Sequence, residues 1–350
     1  MADATVSATI RDVARRAGVS VATVSRVLNH SGQVRDDTRA RVESAAAELR
    51  YTPNSTARSL ITRRTATFGV VLPDLFGEFF SEVIRGMDPL ARSRGYHLLL
   101  SSSHDDHCEI EFALAAMRGR VDGLVVMSPH VGVRSLAACL PPELPVVLLN
   151  CDAAGADYPA IGIDNHAGAL AMVRHLVSLG HTRIGMIRGG QDNFDARERR
   201  RGYHAALDEA GLPGADGRWE APGDFTEAGG WDAALRLARL PEPPTAVFCA
   251  NDSMAVGAMS ALRGQGLRVP EDVAVAGFDD IPMARYLSPP LTSVHVDVHR
   301  LGARAVEMLC DALADPRAPP RQELVPTRLV IRRSCGAGET VQEPRFPVPA

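Results

Sequence analysis

Short apolar runs alternate with amphipathic stretches along the chain from residue 66 onward. The clearest apolar runs, each predicted to be a β-strand, are 68–72, 96–101, 123–127, 145–150, 183–187, 245–250 and 273–278. The stretches between these runs have helical periodicity, and this order predicts βαβ units with parallel sheets. A region of this length exceeds the core that one sheet supports comfortably, so we expect two lobes.

The first 65 residues have a different pattern, which predicts three short helices. Thr9 is predicted to cap the first helix, Gly18 to end it and Ser20 to cap the second. The third helix begins near Asp36, and apolar side chains recur at helical spacing in all three helices. Two helices separated by a Gly-Val-Ser turn are typical of a helix-turn-helix unit, which places its second helix in the major groove of DNA.

The charge of this head differs from that of the remaining chain. Residues 1–65 contain 11 Arg and 6 acidic residues, a net charge of +5, whereas the remainder contains 27 Arg and 36 acidic residues, a net charge of −9. A small basic region on an acidic chain indicates an anionic partner for that region alone. The charge distribution therefore favours DNA as a partner of the head.

Side chains at the start of the second predicted helix are the candidates for base recognition. Val21, Ala22 and Thr23 form its first turn, where small apolar groups can contact a thymine methyl group and a hydroxyl can bond a base or a phosphate. Arg26 lies one turn later and can reach guanine or a phosphate. The full set of DNA contacts predicted in the head is Thr9, Ser20, Val21, Ala22, Thr23, Ser25, Arg26 and Asn29. The alternative is that these residues only cover a small three-helix domain.

A second predicted DNA contact follows Pro53. Asn54 can cap a helix that runs to about Leu60, but two helical turns are too few to be stable alone in water. Such a segment becomes ordered only when something holds it, and Leu60 then either enters a core or wedges between base pairs. The DNA contacts predicted in this hinge are Asn54, Ala57, Arg58 and Leu60.

The segment TIRDVARRAGVSVATVSRVLN, followed by RYTPNSTARSL, resembles the head and hinge of the LacI/GalR family of bacterial transcriptional regulators, and the resemblance continues along nearly the whole chain. It implies that Val21, Ala22 and Arg26 read bases. It also implies that the hinge helix lies in the minor groove and that Leu60 is inserted at the centre of the operator. For the remaining chain it implies the fold of periplasmic binding proteins, with two Rossmann-like lobes joined by crossing strands.

These observations predict a small all-α head on a two-lobed α/β body. The predicted divisions are a helix-turn-helix domain at 1–53, a hinge at 54–65, a ligand-binding and dimerisation body at 66–333 and a disordered tail at 334–350. Within the body, the N-lobe is predicted at 66–163 and 296–324, and the C-lobe at 164–292 and 326–333.

Ligands of open parallel sheets lie beyond the carboxyl ends of the strands, so residues that follow the predicted strands are candidate ligand contacts. They are Asp74, Phe79, Phe80, Asn150, Asn193, Asp195, Arg199, Asn251 and Asp279. The family resemblance implies effector contacts at seven of these positions, all but Asp74 and Asn150, and adds Phe225. Aromatic rings among amides, carboxylates and a guanidinium suit a sugar or another polyol. Asp252 and Asp280 also follow strands, but they can instead cap the helices after them.

The composition excludes several enzyme classes. All 38 basic residues are Arg, so the Lys required by a Walker A loop, a Schiff-base aldolase or a pyridoxal-phosphate enzyme is missing. The chain has no apolar run long enough for a membrane span and no signal-peptide core, and its six Cys stand singly. We therefore expect a cytoplasmic protein with no cofactor, no metal and no membrane association.

Together, the head and the cleft predict a ligand-responsive, sequence-specific transcriptional regulator and not an enzyme. The expected partners are a palindromic operator in double-stranded DNA, a small sugar and a second copy of the chain in a homodimer. The expected action is repression of genes for sugar uptake or catabolism, released by the sugar. The alternatives are a corepressed regulator that responds to a purine or nucleoside and, in a different class, a sugar-binding protein or carbohydrate enzyme with an incidental basic head.

Overall fold

The structure is a computed structural model that describes residues 8–28, 32–51, 64–104, 107–153, 157–214 and 216–337. The chain divides into two compact units, with the boundary between Thr65 and Ala66. Among the described residues, no helix combines the length and the apolar character needed to cross a membrane. Within the same ranges, His, Cys, Asp and Glu side chains form no group that could hold a metal ion.

The first unit contains three helices: α1 Ile10–Ala17, α2 Val21–Leu28 and α3 Asp36–Glu48. The Asp12 carboxylate accepts hydrogen bonds from the backbone N–H of Thr9 at 3.0 Å and from its Oγ1 at 2.7 Å, which stabilises the start of α1. Gly18 ends α1 in the left-handed region, with φ of 67°. Buried side chains from all three helices, Val13, Val24 and Val42 among them, form one core. The predicted helix-turn-helix head is confirmed.

The second unit contains two six-stranded sheets. The strands of the first sheet are β1 Thr67–Leu72, β2 His97–Ser102, β3 Gly123–Met127, β4 Val146–Leu149, β5 Ala160–Ile163 and β11 Gln322–Val325, in the order β11-β5-β4-β3-β1-β2. Those of the second are β6 Ile184–Arg188, β7 Glu220–Pro222, β8 Ala246–Cys249, β9 Ala274–Asp279, β10 Thr292–Val296 and β12 Thr327–Val330, in the order β12-β10-β9-β8-β6-β7. All neighbouring strands are parallel except β10 and β12. The predicted two-lobed α/β architecture is confirmed.

Helices cover these sheets. They are α4 Glu78–Ser93, α5 His107–Met117, α6 Val133–Cys139, α7 Asn165–Ser178, α8 Phe194–Glu209, α9 Glu227–Ala238, α10 Asp252–Gly264 and α11 Val298–Ala314, with short 3₁₀ helices at Pro282–Tyr286 and Arg333–Cys335. The chain passes between the sheets after β5, after β10 and between β11 and β12. The backbone N–H of Asp164, in the first crossing, donates to the carbonyl of Val325, in the third, at 3.1 Å.

The ordered chain continues beyond residue 333, where the sequence predicts a disordered tail. Ser334 and Cys335 are buried against the second sheet. The Ser334 hydroxyl donates to the carbonyl of Val275 at 2.6 Å and accepts from the backbone N–H of Thr292 at 2.8 Å. Ser334, which follows the last strand, thus satisfies two backbone groups of the second sheet, and the described part of the chain extends to residue 337. Residues 338–350 lie outside the described part of the chain.

Candidate functional site

A cavity of about 460 Å³ lies between the two lobes, at the carboxyl ends of strands from both sheets. Of the ten ligand contacts predicted from the sequence, nine line this cavity: Asp74, Phe79, Phe80, Asn193, Asp195, Arg199, Phe225, Asn251 and Asp279. Asn150 is buried at the end of β4 with φ of 46°, and its side chain does not line the cavity. The strand ends of the two lobes thus bring together residues that are up to about two hundred positions apart in sequence.

Arg199, on α8, is buried at the base of the cavity. Its Nε donates to Oδ1 of Asn165 at 2.7 Å, its Nη2 donates to Oδ1 of Asp279 at 3.2 Å, and its Nη1 donates to the carbonyl of Ala250. The guanidinium carbon also lies 3.8 Å from the centre of the Phe278 ring. These contacts hold the guanidinium in one orientation.

Two buried carboxylates flank this guanidinium. Oδ1 of Asp195 accepts from the Asn165 amide at 2.8 Å, so Asn165 joins Asp195 to Arg199. Burial raises the pKa of Asp195 to about 6, although the positive charge of Arg199 opposes the rise. Burial also raises the pKa of Asp279 to about 6, again opposed by Arg199. The surrounding protein thus stabilises the negative charge of both carboxylates only in part. Both are therefore suited to accept hydrogen bonds from ligand hydroxyl groups.

Four phenylalanines are among the described residues that line the cavity, Phe76, Phe79, Phe80 and Phe225. Phe79 and Phe80 meet edge to face, with ring centres 5.5 Å apart. Phe225 comes from the other lobe and has a φ of 68°, which the backbone of a non-glycine residue rarely adopts. Gly189 permits this arrangement, because a Cβ atom there would overlap the Phe225 ring. Rings that line a cleft in this way can contact the apolar faces of a sugar ring.

Two of the predicted amides also cap helices. Oδ1 of Asn193 accepts from the N–H of Ala196 at the start of α8, and Oδ1 of Asn251 accepts from that of Met254 in α10, each at 2.9 Å. The Asn251 amide also donates to the carbonyl of Phe225 at 3.0 Å, which fixes the loop that carries the ring. The carbonyl oxygens of both side chains are thus already engaged by the protein, and their amide N–H groups are the atoms that a ligand could bind.

Sequence reasoning missed several polar residues of the site. His130, Glu78, Asp224 and Glu227 line the cavity but were not predicted. Neither was Asn165, which lies two residues after β5 and contacts Asp195 and Arg199 without lining the cavity. Glu78 joins the lobes, because its Oε2 accepts from the backbone N–H of Met283 at 3.1 Å. A second contact between the lobes runs from the N–H of Phe194 to the carbonyl of Pro129 at 2.8 Å. The rule for strand ends could have found Asn165, whereas the contacts between lobes depend on how the lobes close.

The lining of the cavity is acidic. Among the described residues, six carboxylates line it, Asp74, Glu78, Asp195, Asp224, Glu227 and Asp279, together with a single guanidinium, that of Arg199. Much of the positive charge of Arg199 is already directed at Asp279. Such a lining opposes the binding of phosphorylated or otherwise anionic ligands.

The head presents a separate candidate surface on α2. Val21, Ala22 and Arg26 are exposed, and the Val21 side chain retains 41% of its accessible surface. Oγ of Ser20 accepts from the backbone N–H of Thr23 at 3.2 Å and caps the helix. Thr9 is exposed and Ser25 is partly exposed. The remaining predicted DNA contacts, Asn29, Asn54, Ala57, Arg58 and Leu60, lie outside the described residues.

Comparison with known proteins agrees with this architecture. Residues 9–54 match the description "Bacterial regulatory proteins, lacI family", and residues 173–335 match a periplasmic-binding-protein-like domain. The ribose operon repressor of Escherichia coli (strain K12) is 38% identical over 329 residues, which cover 93% of this chain and 99% of that protein. The chain belongs to the LacI family. As a LacI-family protein it is a ligand-responsive, DNA-binding transcriptional regulator.

Solved structures of LacI-family proteins are also similar to this chain. A crystal structure of the lac repressor dimer bound to operator and the anti-inducer ONPF has a TM-score of 0.86 and 31% identity, and the match covers 94% of this chain and 99% of that chain. A LacI-family transcriptional regulator from Enterococcus faecium with bound ribose has a TM-score of 0.70 and 27% identity, with 77% of this chain and 98% of that chain covered.

Proposed function

We propose that this LacI-family protein is a homodimeric repressor of genes for sugar uptake or catabolism, and that a small neutral sugar releases it from DNA. The observation that carries the proposal is the cavity, whose lining combines phenylalanine rings with the buried side chains of Asp195, Arg199 and Asp279. The rings can contact the apolar faces of a sugar, and the polar side chains can bond its hydroxyl groups. The sugar class therefore fits the cavity better than a flat purine does.

D-ribose is the first candidate for the effector. The ribose operon repressor is among the relatives of this chain, and a related solved structure holds ribose. The acidic lining favours the free sugar over a sugar phosphate. A cavity of about 460 Å³ accommodates a monosaccharide with room for the lobes to close further.

In the proposed complex with DNA, two heads occupy the two halves of a palindromic operator. The exposed side chains of α2, Val21, Ala22 and Arg26, contact base edges in the major groove. The hinge residues Asn54, Ala57, Arg58 and Leu60 contact the minor groove, with Leu60 as the wedge. Thr9, Ser20, Thr23, Ser25 and Asn29 complete the proposed contacts.

The proposed switch couples closure of the lobes to the hinges. The sugar draws the lobes together around the three crossings, and the N-lobes of the two chains then shift relative to each other. The short hinge helices lose their packing, and Leu60 withdraws from the operator. Sugar and operator must weaken each other by the same factor, which corresponds to about 1–3 kcal/mol for typical allosteric proteins.

The test combines calorimetric titration with an operator selected from randomised double-stranded DNA. We expect D-ribose or another neutral sugar to bind and to lower operator affinity, ribose 5-phosphate not to bind, and Arg199→Ala to lose the response. If adenosine or hypoxanthine binds instead and strengthens operator binding, the corepressed alternative is correct. If no small molecule changes operator affinity, the proposed switch is wrong.

We also propose that the protein is not an enzyme and that it acts in the cytoplasm, where its DNA is. Its relatives are repressors, and a regulator needs only to bind and release its sugar. Removal of residues 1–65 distinguishes a transcriptional regulator from a carbohydrate enzyme. The remaining unit of a regulator binds sugar, does not bind DNA and returns the sugar unchanged, whereas a carbohydrate enzyme would convert it.

A further inference from the structure

Asp252 is the first residue of α10, and it is completely buried without lining the effector cavity. Its position after β8 left open the possibility that it caps the helix. Asn251 performs that task, through the bond from the Met254 N–H to Oδ1 of Asn251. Burial and the nearby Asp279 raise the pKa of Asp252 well above its usual range. A carboxylate in so unfavourable a place requires another structural explanation.

The Asp252 carboxylate holds the segment 279–281, which follows β9. Its Oδ2 accepts directly from the backbone N–H of Ile281 at 2.9 Å. Its Oδ1 accepts from the hydroxyl of Ser293 at 2.6 Å, and that hydroxyl oxygen accepts from the backbone N–H of Asp280 at 3.1 Å. One buried side chain therefore fixes two consecutive backbone N–H groups.

This segment has a backbone conformation that needs such support. Asp279 has a φ of 106° and Asp280 a φ of 55°, and residues other than glycine rarely adopt these values. Asp279 is the residue that lines the cavity and contacts Nη2 of Arg199 at 3.2 Å. If the backbone of 279–281 relaxed, the carboxylate of Asp279 would leave this position.

The neighbouring strand makes space for the arrangement. Gly277, on β9, lies beside Oδ1 of Asp252, and a Cβ atom at residue 277 would overlap that oxygen. The buried carboxylate, the Ser293 hydroxyl and the glycine thus form a single fitted unit behind the cavity.

We propose that Asp252 is a positioning residue of the effector site, which holds Asp279 in the geometry that binds the sugar without contacting the sugar itself. This inference rests on the proposed function, in which Asp279 is an effector contact. If it is correct, a change at Asp252 lowers sugar affinity by moving Asp279. A residue needed only for core packing would not act on sugar affinity through Asp279.

The first experiment is a double-mutant cycle on the full chain, with D-ribose affinity measured by calorimetry. We expect Asp252→Asn to weaken binding by about tenfold, because Asn keeps the size of the side chain but offers only one acceptor oxygen. Since the loss acts through Asp279, the double variant Asp252→Asn/Asp279→Asn should bind no more weakly than Asp279→Asn alone. Wild-type affinity for Asp252→Asn, or fully additive losses in the double variant, would overturn the proposal.

Glu220→Gln is the matched control. Glu220 is another buried carboxylate of the same lobe, paired with Arg200 at 2.6 Å, and it does not line the cavity. We expect this control to bind D-ribose like the wild type. If it weakens binding as much as Asp252→Asn does, the effect is a general response to a lost buried charge and the proposal is wrong.

Crystal structures of Asp252→Asn and Ser293→Ala provide a measurement that needs no effector. Ser293→Ala removes only the bridging hydroxyl, so it serves if Asp252→Asn fails to fold. We expect residues 279–281 to change conformation and the contact between Asp279 and Arg199 to be lost. If residues 279–281 are unchanged in the folded variants, the positioning role is wrong.

The two proposals can fail separately. Failure of the wild type to bind any sugar would contradict the proposed function, whereas the crystal structures of the variants would still decide the role of Asp252.

Discussion

Arg199 directs donors from all three of its nitrogen atoms at protein acceptors, namely Asn165, Asp279 and the carbonyl of Ala250. A guanidinium carries five N–H groups, so two remain for a ligand in a direction that is already fixed. The neighbouring Phe278 ring further restricts movement of the group. In the proposed complex it therefore orients sugar hydroxyl groups, and it has little charge left to neutralise an anion.

The raised pKa values of Asp195 and Asp279, both about 6, predict that sugar affinity depends on pH. Sugar hydroxyl groups donate to the charged carboxylates, so binding favours the ionised form. Affinity should be constant above about pH 7 and should fall as the pH drops through 6, by at most about tenfold per pH unit for each carboxylate. Calorimetric titration with D-ribose between pH 5 and 8 measures this change.

Protonation of Asp195 and Asp279, which weakens sugar binding, stabilises the ligand-free protein. Their pKa values are higher in the folded protein than in the unfolded chain, so the ligand-free fold binds these protons more tightly. Their contribution to the free energy of unfolding therefore increases as the pH falls from 7 to 5.

The contradicting outcome concerns sugar binding. If the affinity for D-ribose rose as the pH fell from 7 to 5, the assignment of both carboxylates as acceptors would be wrong.

Gly189→Ala tests the position of the Phe225 ring. The added Cβ overlaps the ring, so we expect Phe225 to move and sugar affinity to fall by about tenfold. Gly264→Ala, in the same lobe but outside the cavity, is the control, because the nearest atom to its Cβ would be Cη2 of Trp231 at 3.6 Å, an ordinary contact distance. If the two variants bind D-ribose equally well, the ring is not an effector contact.

The rule for strand ends located most of the cavity because the carboxyl ends of parallel strands converge wherever such a sheet forms. Other features of the site depend on distances that a sequence does not contain. Asn251 and Asn193 were predicted as ligand contacts, and although Asn is a common N-cap residue, only the structure shows that their carbonyl oxygens cap helices. The contact that Glu78 makes between the lobes could not be predicted from the sequence. Its partner, the backbone N–H of Met283, is more than two hundred residues away in sequence and lies in the other lobe.

At the scale of the elements, α2 of the head has an exposed face. Arg26 is exposed on this helix, and its loss should weaken binding to the selected operator by about 1–3 kcal/mol and relax the preference at one base pair. Competition binding with single-base operator variants measures both effects. Arg41→Ala, on α3, removes the same charge from another exposed position and serves as the control. Equal losses without a change in base preference would assign Arg26 to the phosphates.

The strands of the body differ in how strongly the sequence indicates them. All seven strands predicted from apolar runs are present, since a strand buried on both faces of a parallel sheet requires a continuous apolar run. The unpredicted strands include β7, Glu220–Pro222, and β11, Gln322–Val325, which lies at an edge of its sheet. Short or edge strands are held by neighbours and keep polar side chains, so their local pattern resembles that of a loop.

At the scale of the whole molecule, β2 is the outer strand of the first sheet and carries apolar side chains that remain accessible. Leu99 and Leu100 retain 36% and 37% of their surface, and Phe112, on the adjacent helix α5, retains 78%. An apolar sheet edge of this kind is normally covered. We expect it to contribute to the homodimer.

Phe112→Arg should therefore weaken the dimer, and sedimentation velocity at decreasing protein concentration measures the change. Operator affinity should fall with it, because a monomer places only one head on the DNA. Leu179→Arg is the control, since Leu179 has 38% of its surface exposed at the end of α7 in the other lobe. A Phe112→Arg variant that remains dimeric at the same concentrations as the wild type would exclude this surface from the interface.

The three crossings between the lobes also set the order in which the protein can fold during synthesis. Neither sheet of the body is complete until β11 and β12 have left the ribosome, because these strands, Gln322–Val325 and Thr327–Val330, are the last of each sheet. The three helices of the head end at Glu48, and the described residues that pack in their core lie within the first 51. A nascent or truncated chain thus acquires its DNA-binding head long before the part that responds to a ligand. Complete translation is therefore a condition for regulation, since a prematurely terminated chain carries a head that no sugar can control.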